Sequence, residues 1–173
     1  VKPKYAKGDC KSVFEDPPRT LFEHASEAGF STGVVTNSRV TDATPAATYG
    51  HSPDRMWEND SKTPEFALKQ GCGDLASQMI DFGEGQLQGQ GLDLVFGGGR
   101  ESFLPISSVD PEYPESRGAR KDGKDLIANW LRKGDGRDFV WNLDQFRNLD
   151  PLGSGRVLGL FEPREMLFNL ERV

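Results

Sequence analysis

Three short apolar runs, STGVVT, LDLVF and RVLGLF, are spaced along this chain with helical patterns between them. That spacing constrains the fold more than any other feature. Runs this short and this apolar read as buried strands bounded by turn signals. Strands that alternate with helices lie parallel, because each crossover returns the chain to the same end of the sheet. The expected class is α/β, part of a three-layer sandwich with a mostly parallel central sheet and crossover helices.

The elements follow in order. Residues 1–18 read as loop. RTLFEHASEAGF carries Leu21, Phe22, Ala25 and Ala28 at helical spacing, with Gly29 as a stop. Thr44-Pro45 reads as a helix start, a hydroxyl cap followed by proline, with a short helix AATYGH ended by Ser52-Pro53. Thr63-Pro64 opens a helix through TPEFALKQGCGDLASQMIDF, weakened by Gly71 and Gly73. Residues 100–122 are irregular. KDLIANWLRK is an amphipathic helix with Leu126, Ile127, Trp130 and Leu131 on its apolar face. DFVWN reads as a short strand, LDQFRNL as a short helix, and PREMLFNLERV as a helix after Pro163.

The 173 residues suffice for one domain or a large piece of a bigger one. With 21 basic and 27 acidic residues the formal charge is -6, which argues against a nucleic-acid-binding surface. A phosphate-bearing small substrate needs only local positive charge. No apolar run reaches bilayer length, and no signal peptide opens the sequence. Cys10 and Cys72 are 62 positions apart. A disulfide closing that loop would contribute roughly 4 kcal/mol in the chain-entropy model; two reduced thiols are equally compatible with the spacing.

In α/β sheets ligands bind beyond the carboxyl ends of the strands. The segment RVTDATPAATYGHSPDR follows the first strand and so sits at such an end. Asp42 and Thr44 could share a hard cation such as magnesium, or could simply satisfy helix N–H groups. Arg55 could hold a phosphate through its planar fork, or pair with Asp54 or Glu58 at the surface. Asp54 and Asp60 read as solvated, and His51 as a structural histidine. Gly97–Arg100 reads as a tight turn with close backbone packing rather than an anion nest. Glu112 and Glu162 could hold calcium with backbone carbonyls, or could be solvated. There is no GxSxG or HExxH motif.

Taken as a string, RVTDATPAATYGHSPDR resembles the alkaline phosphatase family. QGCGDLASQMI, DLVFGGGR, DPEYPE, RKDGKDLIANWL, FVWN and LGLFEP continue the likeness in order over nearly the whole chain. The resemblance implies a phosphate monoester hydrolase, and roles residue by residue. Arg55 matches the arginine that grips substrate phosphate. Asp42 and Thr44 match magnesium-site positions, where animal members usually have His in place of Asp42. Cys10 and Cys72 match a disulfide of the animal-type enzymes. Glu112, the carbonyl of Phe161, and Glu162 match calcium ligands. The family uses a phosphoserine intermediate and two zinc ions. Its nucleophilic serine and most of its zinc ligands match nothing here, so residues 1–173 read as an internal, partial domain, expected to be inactive alone. A homodimer and an extracytoplasmic location are further implications. The rival readings are a non-catalytic, calcium-stabilised extracellular module, and a related sulfatase or phosphodiesterase.

Overall fold

A computed structural model describes residues 8–13, 17–83, 91–150, 153, 155–168 and 170. The expected loop residues 1–7 and 14–16, and the tail residues 169 and 171–173, lie outside the described residues.

Four strands form one sheet: β1 (Gly33–Arg39), β2 (Leu94–Gly98), β3 (Arg137–Val140) and β4 (Arg156–Leu160). Their order is β1-β2-β4-β3 and every pairing is parallel. The register places Val34 beside Val95 and Val95 beside Leu158. Those three side chains point to one face, where they meet Met79, Ile80, Ile127 and Trp130 in the main core. The facing helices are α4 (Leu75–Asp81) and α5 (Leu126–Arg132). Strand alternation sends Phe96 to the opposite face. There it makes an edge-on contact with Phe146 of α6 (Leu143–Arg147) at 5.6 Å between ring centroids. Helices therefore flank a parallel sheet, as the strand spacing predicts.

Helix starts follow cap chemistry except at the helix Glu65–Lys69, whose N-cap residue Pro64 offers no side-chain cap. Helix α1 (Leu21–Glu27) opens with a capping box: the Thr20 hydroxyl accepts from the Glu23 amide, and the Glu23 carboxylate accepts from the Thr20 amide. Asp74, Asp125 and Asn142 cap α4, α5 and α6.

Four local expectations change. Helix α2 (Ala43–Ala46) is capped by Asp42 rather than by Thr44, because Asp42 is the residue with extended backbone and its carboxylate accepts from the Ala43 amide. The expected helix from Thr63 divides into α3 (Glu65–Lys69) and α4. Gly71 takes a φ of 85°, and the Cys72 amide turns back to the Ala67 carbonyl. Leu131 is exposed rather than part of the apolar face of α5. The tail after Pro163 bends over 162–165 and has no regular structure over 166–168. Its backbone groups are claimed elsewhere: the Arg164 carbonyl accepts from the Gly99 amide, and the Met166 amide donates to the Asn37 carbonyl.

Cys10 and Cys72 form a disulfide, with 5.9 Å between Cα atoms. It lies in a small second core with Trp57 and Ala67. No helix among the described residues is long and apolar enough to cross a membrane.

Candidate functional site

The carboxyl ends of β1, β2 and β4 are tied together by backbone hydrogen bonds. The Val40 amide donates to the Gly98 carbonyl, and the Phe161 amide to the Gly97 carbonyl. The Gly97–Arg100 turn is a close-packing device, as expected. A Cβ at Gly98 would overlap the Arg164 carbonyl oxygen, and one at Gly97 would meet Val40 at 2.8 Å.

Beyond β1, Asp42 collects polar partners. Its Oδ1 accepts from the Ala43 amide and from Arg55 Nη2, at 2.8 and 2.7 Å; its Oδ2 accepts from the Ser38 hydroxyl at 2.9 Å. Burial pushes the Asp42 carboxyl up, but the Ala43 amide, the Ser38 hydroxyl and Arg55 outweigh it and hold it below the ordinary carboxylate range. Arg55 thus pairs with Asp42, not with Asp54 or Glu58, and its side chain remains 63% exposed. Thr44 sits on the same short helix with an exposed side chain whose hydroxyl has no hydrogen-bond partner among the described residues. Arg55 also lines a cleft of about 400 Å³ together with Arg19, Leu21, Ala43, Ala46 and His51. His51 is satisfied there by Glu23, at 3.0 Å.

Behind this edge stands a second set of charges that sequence reasoning missed. Arg39 Nε donates to Glu58 Oε2 at 2.7 Å, the Thr41 hydroxyl donates to the same oxygen, and Lys62 binds Oε1. Arg39 also pairs with Glu165. Glu58 is buried; burial raises its carboxyl, but Arg39, Thr41 and Lys62 bring it below the ordinary value. Lys62 lies four positions from Glu58, a local spacing, but nothing in the local sequence signals the pairings of Arg39 and Thr41 with Glu58, 19 and 17 positions apart.

At the ends of β2 and β4 lie Glu112, Phe161 and Glu162. Glu112 Oε2 accepts from Arg100 Nη2 at 3.2 Å, and Glu162 Oε2 accepts from the Tyr113 hydroxyl at 3.0 Å. Burial together with Glu162 pushes the Tyr113 hydroxyl up to about 12. The Glu162 carbonyl accepts from the Gly99 and Arg100 amides. The loop of Glu112 is thereby joined to the end of β4. A third cluster surrounds Arg120, wholly buried, with Asp74 and Asp122 as direct partners. Asp60, expected to be solvated, is buried beside it, and its Oδ2 accepts from the Lys121 and Asp122 amides.

The donor types present are those of hard cations. A carboxylate at Asp42 and a free hydroxyl at Thr44, on one helical turn, are hard oxygen donors of the class magnesium takes. Glu112, Glu162 and the Phe161 carbonyl are oxygen donors of the class calcium takes. Zinc finds no such set among the described residues. The cysteines are bonded to each other, His51 bonds Glu23, and no group of three or more His, Cys, Asp or Glu is placed to hold a metal.

Residues 9–173 match the family model of alkaline phosphatase. The chain belongs to the alkaline phosphatase family. It is 37% identical over 169 residues to the human tissue-nonspecific alkaline phosphatase, covering 94% of this chain and 31% of that protein. It is 36% identical over 158 residues to the alkaline phosphatase of Gadus morhua, covering 88% of this chain and 32% of that one. Its fold matches the crystal structure of the Thermus thermophilus alkaline phosphatase with a TM-score of 0.62 and 27% identity, over 90% of this chain and 25% of that one. An alkaline phosphatase from Shewanella shares the fold at a TM-score of 0.57 and 21% identity, over 93% of this chain and 29% of that one. The chain thus spans about a third of the length of the curated relatives it matches.

Proposed function

We propose that this chain is the part of a phosphate monoester hydrolase that contributes the substrate-binding arginine and one edge of a magnesium site. It is a partial α/β domain within a longer enzyme. The observation that carries the proposal is the juxtaposition of Arg55 with Asp42, at 2.7 Å, just beyond β1, with Arg55 also lining a cleft that Ala43 borders.

Arg55 binds one face of the phosphate. Its fork presents parallel N–H donors, and the charge persists at alkaline pH, where lysine begins to titrate. Exposure leaves its remaining donors free for a ligand, while Asp42 fixes the direction of the side chain. The charge that spreads over the phosphoryl oxygens during transfer is stabilised by such fixed donors. Magnesium, held by Asp42 and Thr44, would supply a hard positive charge and an ordered water beside the phosphate. A variant of the alkaline phosphatase from the Antarctic bacterium TAB5 has Mg bound, which supports the same choice of ion. Ser38 and the Ala43 amide orient the Asp42 carboxylate for that task. Zinc, which the family resemblance implies, would take its donors from outside these residues. Calcium belongs at Glu112, the Phe161 carbonyl and Glu162. The disulfide favours an extracytoplasmic location. A homodimer is the expected assembly.

The test is Arg55→Ala in the full-length protein, assayed on p-nitrophenyl phosphate. A fall in kcat/KM of about tenfold or more, roughly 1.4 kcal/mol of transition-state stabilisation, is expected. An unchanged value would remove Arg55 from the site.

A further inference from the structure

Arg100 is wholly buried, and its guanidinium donors are committed. Nε and Nη2 grip the two oxygens of Asp110, each at 2.8 Å. Nη1 donates to the Leu160 carbonyl at 2.7 Å, and Nη2 also reaches Glu112 Oε2 at 3.2 Å. The backbone amide of the same residue donates to the Glu162 carbonyl at 3.0 Å. Asp110 extends the grip, since its Oδ1 accepts from the Glu112 and Tyr113 amides at 3.0 and 3.1 Å. Tyr113 completes it by donating its hydroxyl to Glu162 Oε2.

We infer that Arg100, acting with Asp110 and Tyr113, is the positioning residue for the calcium donors Glu112, Phe161 and Glu162. The inference rests on the assignment of those donors under the proposed function. One residue contacts the segment of each donor: the Glu112 carboxylate directly, Phe161 through the carbonyl of the residue before it, and Glu162 through its own carbonyl.

A guanidinium beside calcium ligands raises a problem of sign, because its charge repels the ion. Asp110 resolves it. The two-pronged pair neutralises Arg100 internally, and the bond to Glu112 is the longest that the side chain makes. Glu112 is held in direction yet remains 35% exposed, with its other oxygen free of Arg100. Lysine could not do the same. A single ammonium cannot meet both Asp110 oxygens, the Leu160 carbonyl and Glu112 at once. Partners behind the ligands of a metal site typically change its affinity 10–100-fold when lost.

The experiment titrates the full-length, EDTA-stripped protein with calcium chloride by calorimetry, comparing the native protein with Arg100→Lys. The Kd for calcium should rise about tenfold or more, and the gain in Tm on adding saturating calcium should shrink. A purely structural role would lower Tm equally with calcium and with EDTA and leave Kd unchanged; that result overturns the inference. If Arg100→Lys fails to fold, Tyr113→Phe decides, since it deletes one half-buried hydroxyl. A several-fold rise in Kd is then expected, and an unchanged Kd refutes the grip. Native protein that takes up no calcium at all overturns the donor assignment itself, an outcome distinct from a native site that Arg100→Lys leaves intact.

Discussion

Arg55 and Arg120 carry the same charged group in opposite circumstances. Arg55 is 63% exposed and holds one carboxylate, Asp42. Arg120 is 0% exposed and is held by Asp74 and Asp122, by the Ser102 carbonyl and by the Ser77 hydroxyl, with Asp60 at 3.8 Å. Arg120 has its donors used up inside the protein, so it can organise the fold but cannot meet a ligand. Arg55 has donors to spare and little packing to lose. An arginine available for substrate is recognised by what it leaves unbonded, and that is a property of tertiary environment.

The largest effect is expected at Arg120. Arg120→Met leaves the buried Asp74 without its cation and Asp122 with Lys124 alone at 3.7 Å, and should cost about 3–5 kcal/mol of stability in urea unfolding. A loss below about 1 kcal/mol would put Arg120 in the same class as an exposed ion pair. Next in size is the disulfide. Replacing Cys10 and Cys72 by serine should cost roughly 4 kcal/mol by loop entropy. The loss should appear in hydrogen exchange as loosening around Trp57, on the Arg55 side, with the amides near Arg120 still protected. Protection lost equally at both places would mean that the two regions unfold as one unit.

Arg55→Ala should show the reverse of Arg120→Met: kcat/KM falls about tenfold or more while stability changes by less than about 1 kcal/mol. A large loss of stability would show that Arg55, too, is structural. The smallest effect concerns Glu58. Its folded-state pKa lies below the ordinary 4.5, so its pairing contributes stability that is complete above that value and lost as pH falls through the depressed folded value. Glu58→Gln should therefore flatten the fall of the urea midpoint below about pH 5. An unaltered slope would show that Arg39 and Lys62 do not depend on its charge.

Much of the scaffold was legible. The three apolar runs are strands, parallel as alternation with helices requires, and KDLIANWLRK and LDQFRNL contain α5 and α6. The loops bearing Asp42, Gly99 and Glu162 do gather at the carboxyl ends of the strands. Groups satisfied at long range were not legible from their local partners. Arg55 looked able to pair with Asp54 or Glu58 and instead found Asp42, 13 positions away. Asp60 looked solvated and is buried by amides 61 and 62 positions off. The tail after Pro163 looked helical, but the ends of β1 and β2 take its backbone groups.

Sequence alone specified the alternation of strands and helices and the residue types able to meet a phosphate or a hard cation. Those follow from periodicity and from donor chemistry, which act over a few residues. The tertiary structure decided which charges are buried and which remain open. A guanidinium is emptied of free donors only when carboxylates and carbonyls from distant segments converge on it, as Asp74 does on Arg120 and Leu160 on Arg100. That convergence is set by the packing of the whole sheet edge.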